Sequence, residues 1–516
     1  MIGHNTIAFD AYLLNKLWGT KLRLSQLTDT LILSRLLNPE IEGGHSLAAW
    51  GERLQFPKSD FKDFDGPGDI DLELADAFSV EDVWQQRMEN YCIQDTHVTE
   101  RLYRHLIQTL TLKGFSQESQ DLEHKVQAII AQQVRNGWRF DMKAAMDLRS
   151  TLSIEQTKIE AEMQQVFEPT IVQLKTKQRI IPFNPGSRQQ IADRLMKRGW
   201  KPKENTEKGN VIVNEKTLAS CPVPEAKIFI RYMMLQKRTS SLDQWIEAAE
   251  SDGRVHGKII TNGAVTGRMT HMSPNMGQVV AIGKEYGKEC RALFLADDVE
   301  VLVGIDASGL ELRMLAHYMN DANYVVTVTT GTQEEGTDVH TVNQKAAGLA
   351  TRAQAKTFIY ALLYGAGSSK IGSIVGGGAR EGEKLIESFM RNLPALKKLR
   401  EKVAKYAEKG YVPGLDGRRI WVRSPHAALN SLLQGAGAVV MKQSLVLLDS
   451  YLKAEKIPFK FLGNIHDEWQ LSTPEQYAVC VGELGRKAIQ DAGVLLKLRC
   501  PLDGAYNIGL NWSETH

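Results

Sequence analysis

The sequence predicts a multidomain protein of the α/β class, and three observations lead to this prediction. The chain has 516 residues, whereas a single hydrophobic core rarely grows beyond roughly 250–300 residues. Residues 115–250 contain long stretches with helical spacing, and strands with glycine turns begin near His256. Two short apolar runs end on acidic residues, Asp306 and Asp467, as strands that lead into turns often do.

Composition indicates a globular protein of a reducing compartment. Hydrophobic residues make up 43% of the chain, which is ample for several cores. The net charge of +2 is nearly neutral, so a nucleic-acid surface would have to come from local basic clusters. The five cysteines have neither metal-ligand spacing nor an even number. We expect no membrane-spanning segment and a cytoplasmic location.

The N-terminal region contains two helices that carry polar residues of interest. Asp10 opens the first helix, where an aspartate is a favourable cap. The apolar side of that helix consists of Tyr12, Leu13, Leu14 and Leu17. On the second helix Tyr91 and Asp95 are one turn apart and share a face. Its expected buried positions are Ile93, Val98, Leu102 and Leu106. A further helix is predicted over 30–37.

A helical region follows. Helices are predicted over 121–134 and 143–166, with a break at Asn136-Gly137 between them. The segment from Ser187 to Lys203 is basic. A solvated helix face is the commoner meaning of such a charge run, and a grip on a DNA backbone is the functional alternative.

The central stretch of the chain runs from Val301 to Arg313. Four apolar residues and a glycine predict a buried strand that ends on Asp306, followed by a turn at Ser308-Gly309 and a helix. A carboxylate in this position is costly unless a cation meets it. It is either a satisfied turn residue or a metal ligand, and a metal needs a second carboxylate. The preceding glycine-rich segment places Arg268 and Gln278 on irregular backbone.

The strongest helical pattern runs from Thr351 to Gly365. Arg352, Lys356, Tyr360 and Tyr364 recur every four residues and so line one side of the helix. The purely structural alternative is an amphipathic surface face whose long basic side chains extend their charged ends to solvent. A face that takes polyphosphate at one end and an aromatic base at the other fits the two cations and two aromatics better.

The C-terminal part supplies the second carboxylate. The dipeptide Asp416-Gly417 predicts a hairpin, and a helix over 429–448 places Asn430 and Gln434 one turn apart. Residues 459–471 then predict two strands with His466-Asp467-Glu468 at the turn between them. Magnesium is usually bound by one or two carboxylates plus substrate phosphates. The pattern therefore predicts metal-assisted phosphoryl transfer with two ions, in which Arg352 and Lys356 neutralise charge.

These motifs resemble those of the family A (Pol I-type) DNA polymerases, and most closely the replicative branch of short-tailed phages. The similar stretches are DASGLELR from Asp306, RAQAKTFIYALLYGAG from Arg352 and HDE from His466. Two further stretches are TGRMTH from Thr266 and SPHAALNSLLQGAGA from Ser424. The resemblance covers nearly the whole chain.

The resemblance implies a role for each matched position. Asp306, the carbonyl of Ala307 and Asp467 would hold two Mg²⁺ ions, with Glu468 in support and Lys356 as a possible proton donor. The triphosphate would be bound by Arg352, Lys356 and His340. Tyr360 would stack near the sugar and base, and Glu311 would exclude a 2′-hydroxyl. The residues that would contact DNA are Arg268, Gln278, Asn430, Gln434, Tyr364 and His466.

The resemblance also implies a right-hand architecture. The expected divisions are an exonuclease-like domain over 1–114, a helical thumb over 115–249, a palm over 250–318 and 430–516, and fingers over 319–429. The first domain would be a partial ribonuclease-H-like domain. Asp10, Tyr91 and Asp95 match its later motifs, whereas its first Asp-x-Glu motif has no counterpart here. We therefore expect little or no proofreading and an open sheet edge. Either the start of the chain is misassigned, or a separate chain completes the domain, or the domain is a relic.

The expected partners are primer-template DNA, deoxynucleotides and replisome proteins such as a helicase-primase and a single-strand-binding protein. Thioredoxin is not expected to bind, because the thumb stretch from Phe167 to Pro182 is short. Its Lys175, Lys177 and Arg179 are candidates for DNA backbone contacts. Two other functions remain open. A single-subunit RNA polymerase has a similar palm, and a non-catalytic replisome protein would use the same DNA-binding surface.

Overall fold

The computed structural model describes residues 1–59, 80–173 and 177–516. Up to residue 250 the helices are α1 Asp10–Trp18, α2 Thr30–Leu37, α3 Leu47–Arg53, α4 Val80–Leu112, α5 Gln117–Asn136, α6 Met142–Val166, α7 Arg188–Lys197, α8 Glu215–Ala219 and α9 Ala226–Ala248. The later helices are α10 Gly287–Ala292, α11 Leu310–Met319, α12 Ala322–Thr330, α13 Val339–Ala347, α14 Arg352–Leu363, α15 Ser368–Gly372, α16 Ala379–Asn392, α17 Pro394–Ala407, α18 Ala428–Ala454 and α19 Ala478–Leu495.

The strands are short except in one sheet. They are β1 Ile2–Gly3, β2 Thr28–Asp29, β3 Trp138–Phe140, β4 Thr170–Gln173, β5 Gln178–Ile181, β6 Arg254–Val255, β7 Lys258–Ile260, β8 Thr270–Met272, β9 Phe294–Leu295, β10 Glu300–Ala307, β11 Tyr411–Pro413, β12 Arg419–Trp421, β13 Lys460–Ile465, β14 Glu468–Pro474 and β15 Gly504–Gly509. The main sheet has the order β13-β14-β10-β15 and its pairs are antiparallel.

Strand β10 lies inside the main sheet and separates two hydrophobic cores. Successive side chains of a strand point to opposite faces. Val303 and Ile305 accordingly join the core formed with α18 and α19, whereas Leu302 joins the core that contains Trp138 and Trp512. Both faces of β10 are covered, which explains why its sequence is a nearly continuous apolar run.

The local patterns around this sheet are confirmed. The Asp306 stretch is strand, turn and helix, and the hairpin predicted at Asp416-Gly417 joins β11 to β12. Helices α5 and α6 extend beyond the predicted limits, and α5 ends at the predicted break before Gly137. Helix α5, which the sequence assigned to the thumb, packs against α18 and β13 of the predicted palm.

Two predictions for the N-terminal region are wrong. Asp10 is the first residue of α1 but not its cap, because Phe9 holds the cap position without a side-chain hydrogen bond. The apolar side of α1 is only partly covered, and Leu17 is 69% exposed. In α4 the side chains of Val98, Leu102 and Leu106 are buried, whereas Ile93 is 46% exposed.

The N-terminal sheet is small and open. Strands β1 and β2 pair in parallel, and within the described residues neither has a second neighbour. Parallel sheets are normally covered on both faces and extended by further strands. The open sheet edge expected from the sequence is therefore present in this part of the structure.

Helix α18 is apolar along much of its length but belongs to the core of the fold. The stretch Pro425–Ala454 is long and apolar enough to cross a membrane by length and composition, and 78% of its most apolar window is buried inside the fold. Burial by protein on most sides is what a core helix requires, and this helix packs against α5, α11 and α19.

The packing of α19 on β10 gives a stability prediction. A side chain at Gly485 would start 2.4 Å from Cδ1 of Ile305, so Gly485→Val should lower the free energy of unfolding by about 1–3 kcal/mol. Thermal unfolding followed by circular dichroism measures this. Cys480→Val, at an exposed position of the same helix, is the matched control and should change the melting temperature little. Equal melting temperatures for the two variants would contradict this packing.

Candidate active site

The two aspartates singled out by the sequence meet at one end of the main sheet. Asp306 ends β10 and lies opposite Glu468, the first residue of β14. Asp467 occupies the two-residue turn between β13 and β14, and its carbonyl accepts a hydrogen bond from Ala307 N–H at 3.1 Å. His466, the other turn residue, has a φ of 58°, a left-handed conformation that such tight hairpin turns require.

The three carboxylates differ in their surroundings. Glu468 is buried, and its oxygens accept hydrogen bonds from Trp512 Nε1 at 2.9 Å, from Gln470 Nε2 at 2.5 Å and from His516 Nδ1 at 2.5 Å. Burial alone would raise the pKa of Glu468, but these donors bring it below its usual value. Glu468 is therefore held ionised by the protein itself.

Among the described residues, no hydrogen-bond donor comparable to those of Glu468 acts on Asp306. Its side chain is exposed to the cleft, contrary to the expectation of a buried acid at the strand end. Partial desolvation, followed by the neighbouring Asp467 and Glu468 carboxylates, nevertheless raises the pKa of Asp306 to about 7. Burial also raises the pKa of Asp467. Neither aspartate forms an ion pair within the described residues, and Arg268 and His466 only partly oppose the rise in the pKa of Asp467.

A divalent cation fits this donor set. The carboxylate oxygens of Asp306 and Asp467 and the backbone carbonyl of Ala307, the residue after Asp306, are hard ligands of the type that Mg²⁺ prefers. Within the three described ranges no group of three or more His, Cys, Asp or Glu residues could hold a metal by itself. Two carboxylates suffice only where water or substrate phosphate completes the coordination shell.

Tyr364 and Glu311 form the next layer of the cleft. Glu311 lies in the first turn of α11, and Tyr364 follows the last residue of α14. The Tyr364 hydroxyl donates to the Glu311 carboxylate, with oxygen distances of 2.8 and 2.9 Å, and Arg268 Nη2 lies 3.1 Å from the same carboxylate. These three predicted site residues are thus directly connected.

The cationic and aromatic side of α14 faces the same cleft. Tyr360 lies 6.5 Å from Tyr364 and 6.3 Å from His340 by ring centroids. Arg352 donates from Nε and Nη2 to Asp338 at 3.0 and 2.9 Å. Burial alone would raise the Asp338 pKa, but Arg352 and other hydrogen-bond donors lower it to about 2. Lys356 is exposed and has no ion-pair partner among the described residues.

The remaining predicted residues surround the cleft less closely. Asn430 and Gln434 are half-buried on α18, whose later residues line a narrow cleft together with Arg268, His466 and Asp467. Gln278 is exposed at the end of a short 3₁₀ turn, and no contact joins it to the other site residues in the described part of the chain.

Several residues of the site were missed by the sequence analysis. Trp512, Gln470 and His516 hold Glu468, and Asp338 holds Arg352. Gln470 was detectable, because residues two apart on a strand share a face. Gly304 was a second signal: a side chain there would start 2.2 Å from the carbonyl of Thr515, so the C-terminal residues cross the sheet at that point.

The three exonuclease-type residues lie together in the N-terminal region. Asp10 and Asp95 line one open cavity of about 580 Å³. Lys58 Nζ lies 2.7 Å from the Asp95 carboxylate and donates to the Tyr91 hydroxyl at 2.8 Å. Burial raises the pKa of Asp10. One of the two acids is thus already neutralised by a lysine.

An antiparallel sheet with acids at adjacent strand ends, facing a helix of cations and aromatics, defines a polymerase of the right-hand class. The chain belongs to DNA polymerase family A: the family model of that description matches residues 149–514. This confirms the family and the fold class predicted from the motifs.

Relatives from phages support the same assignment. The DNA-directed DNA polymerases of Enterobacteria phage T3 and Escherichia phage T7 are each 31% identical, over 100% of this chain and 92% of theirs. That of Escherichia phage Phieco32 is 40% identical over 42% of this chain and 40% of its own. A solved structure, the POL domain of Pol1 from M. smegmatis in complex with DNA primer-template and dNTP, has the same fold. Its TM-score is 0.79 at 20% identity, over 94% of this chain and 82% of the other.

The pKa of Asp306 gives a prediction for cation binding. Below about pH 7 the raised pKa leaves Asp306 largely protonated in the cation-free protein, and a cation needs the ionised form. Affinity for Mn²⁺, used as a spectroscopic probe, should therefore fall as the pH falls from 8 to 6, by up to about tenfold per pH unit for one displaced proton. Titration followed by electron paramagnetic resonance measures it.

The control for this titration is Asp306→Asn, which cannot exchange a proton and should bind weakly with little pH dependence. Wild-type binding that stays constant between pH 6 and 8 would contradict the raised pKa.

Proposed function

We propose that the chain is a template-directed DNA polymerase that adds deoxynucleotides to a primer 3′ end and replicates phage DNA in the host cytoplasm. The observation that carries the proposal is the meeting of Asp306 and Asp467 below the cationic and aromatic side of α14. The full-length similarity to phage DNA-directed DNA polymerases supports it.

Asp306, Asp467 and the Ala307 carbonyl are the proposed ligands of two Mg²⁺ ions. Bound there, the ions would lower the pKa of the primer hydroxyl and neutralise charge on the transferring phosphate. The protein's own part is to hold the carboxylates on paired strands, so that little reorganisation accompanies the reaction. Glu468, already fixed by Trp512, Gln470 and His516, keeps the turn of Asp467 in place.

The nucleotide would lie along α14. Arg352 and Lys356 face phosphate, Arg352 with a bidentate grip and Lys356 as a point charge that can also donate a proton to the leaving group. His340 is the second residue of the neighbouring helix α13, and its ring lies 6.3 Å from that of Tyr360, so it is proposed to bind the triphosphate. Tyr360 offers an aromatic face to the sugar and base.

Glu311 is the proposed sugar gate and Tyr364 the guard of the template position. A deoxyribose over Glu311 leaves the carboxylate undisturbed, whereas a 2′-hydroxyl would crowd it. Closure of α14 over the nucleotide would assemble these contacts only for a correct pair. Arg268 and Gln434, supported by Gln278 and Asn430, would read the minor groove, where correct pairs present acceptors in nearly the same places. His466 would contact the primer terminus.

The alternative functions make different demands on the same residues. A single-subunit RNA polymerase would not need Glu311 as a gate. A non-catalytic replisome protein would not need the charge concentration that raises the pKa of Asp306. A role in the replisome beside a helicase-primase and a single-strand-binding protein is compatible with the polymerase.

Thioredoxin binding is not part of the proposal. Among its described residues, the thumb stretch that would carry the binding insertion forms the short hairpin of β4 and β5. Lys177 and Arg179 on that hairpin are exposed and can meet a DNA backbone, and Lys175 lies outside the described residues. Processivity should accordingly be the same with and without a host clamp candidate.

For the N-terminal region we propose a relic of a proofreading domain. The salt bridge from Lys58 neutralises Asp95, so of the two exonuclease-type acids in the cavity only Asp10 is without an ion-pair partner among the described residues. The alternative is a separate chain that supplies further strands at β1 and further acids. A small protein that copurifies with the polymerase would point to that alternative.

The central test is primer extension. The wild type should extend a primer on a DNA template with deoxynucleotides and hardly with ribonucleotides. Asp306→Asn should slow extension by about a hundred- to a thousandfold, the scale on which one preorganised charge contributes. Asp243→Asn, an exposed aspartate on α9 that pairs with Arg149, is the matched control. Preference for ribonucleotides would indicate an RNA polymerase, and DNA binding without extension a scaffold.

The exonuclease proposal is tested with the same preparation. Single-stranded DNA labelled at its 5′ end should stay intact, and Asp95→Asn should leave this result unchanged. Rapid 3′ degradation that disappears in Asp95→Asn would overturn the proposal and indicate an active second site.

A further inference from the structure

A buried cluster of four charges lies behind the loop that carries Arg268. Glu123 of α5 accepts hydrogen bonds at one oxygen from Arg418 Nη1 at 2.5 Å and from Lys442 Nζ at 2.6 Å. Arg418 also grips Asp416 through Nε and Nη2, at 2.7–2.9 Å. Glu123, Arg418 and Lys442 are at most 3% exposed. We call these residues, with Asp416, the charge cluster.

The charge cluster joins segments that are far apart in sequence. Glu123 comes from α5, Asp416 and Arg418 from the turn between β11 and β12, and Lys442 from α18. The Ser116 hydroxyl adds a hydrogen bond from the start of α5 to the carbonyl of Asp416. Two acids balance two bases. A buried charge that loses its partner is strongly destabilising, so these segments are held in one arrangement.

The cluster also holds the loop between β7 and β8. Lys442 Nζ lies 3.4 Å from Asn262 Oδ1, and Thr261 of the same loop donates to Gln127 of α5 at 3.0 Å. Gly267 has a φ of 75°, and a side chain there would start 3.2 Å from both Arg418 Nη1 and Asn262 Oδ1. The loop backbone is thus packed directly against the cluster, one residue before Arg268.

We propose that Glu123, Arg418 and Lys442 are positioning residues that set the loop of Arg268 and thereby the response of the polymerase to a mispaired primer end. The inference rests on the proposed function. Arg268 reaches Glu311 at 3.1 Å from this loop, so a shift of its backbone changes where its guanidinium lies relative to the cleft. None of the three cluster residues needs to touch substrate.

Lys442 makes the cluster sensitive to pH. Burial, opposed by Glu123 and reinforced by Arg418, lowers the pKa of Lys442 to about 8, with Asp416 raising it slightly. On its other side Lys442 lines the narrow cleft that contains Arg268, His466 and Asp467. Above about pH 8 the lysine loses its proton, and the cluster keeps two acids against one base. The hydrogen bonds from Lys442 to Asn262 and Glu123 then weaken.

The test measures single-turnover incorporation on matched and mismatched primer ends, with the burst amplitude reporting the active fraction. Lys442→Met and Arg268→Ala should each reduce the matched-to-mismatched rate ratio by about tenfold, which corresponds to 1.4 kcal/mol. In the combined variant the ratio should fall no further, because Lys442 acts through Arg268. Lys453→Met, an exposed lysine of the same helix, should behave as wild type.

Other outcomes overturn the inference. If Lys442→Met lowers only the burst amplitude or the melting temperature, the role of Lys442 is purely structural. If the reductions of the rate ratio multiply in the combined variant, Lys442 and Arg268 act independently. Should Lys442→Met fail to fold, Glu123→Gln takes its place, since the amide keeps the shape of the side chain. If the wild-type protein shows no template-dependent extension, the proposed function is overturned instead.

A pH profile gives a second readout. The wild-type rate ratio should fall above about pH 8, whereas Lys442→Arg should keep it to higher pH because a guanidinium stays protonated. Identical profiles for the two proteins from pH 7 to 9 would overturn the inference.

Discussion

The antiparallel pairing of β10 with β14 is the interaction on which the site depends. It joins residues about 160 positions apart and places Asp306 opposite Glu468, with Asp467 in the adjoining turn. The cost of gathering like charges is met by two apolar cores, one on each face of β10, which fix the strand irrespective of the acids at its end. A scaffold stabilised elsewhere can hold an electrostatically unfavourable arrangement, and that is what a preorganised cation site requires.

The three neighbouring acids show how surroundings divide one chemical group into different roles. Glu468 has protein donors on both oxygens and a lowered pKa, so it serves the structure. Among the described residues Asp306 has no such donors, and its pKa is raised, so its negative charge is not already stabilised by the protein. The deciding residues, Trp512 and His516, come from the last part of the chain, where Gly304 leaves room for the backbone to cross the sheet. Sequence proximity to an acidic motif therefore says little about which acid does what.

Patterns within one element were enough to predict much of this structure. The strand, turn and helix around Asp306, the side of α14 from Arg352 to Tyr360 and the turn at Asp467 follow from local spacing, and the family resemblance supplied the overall architecture. What failed or was missed depends on distant neighbours. The exposure of Leu17 and Ile93 reflects the lack of a covering element in the described structure, and the partners of Glu468, Arg352 and Glu123 come from other segments. Local periodicity carries no information about such partners.

The contact between Tyr364 and Glu311, like that between Arg352 and Asp338, occupies residues proposed to receive the nucleotide. Under the proposed function, the free protein carries internal substitutes for the nucleotide: the Tyr364 phenol contacts the proposed sugar gate Glu311, and the Asp338 carboxylate holds the Arg352 guanidinium that is proposed to bind phosphate. Binding is then an exchange of partners rather than an addition of contacts. The measured affinity for a nucleotide equals the intrinsic affinity multiplied by the fraction of molecules in which these residues have left their internal partners. A wrong nucleotide would gain less binding free energy from the exchange and would therefore displace these internal contacts less often.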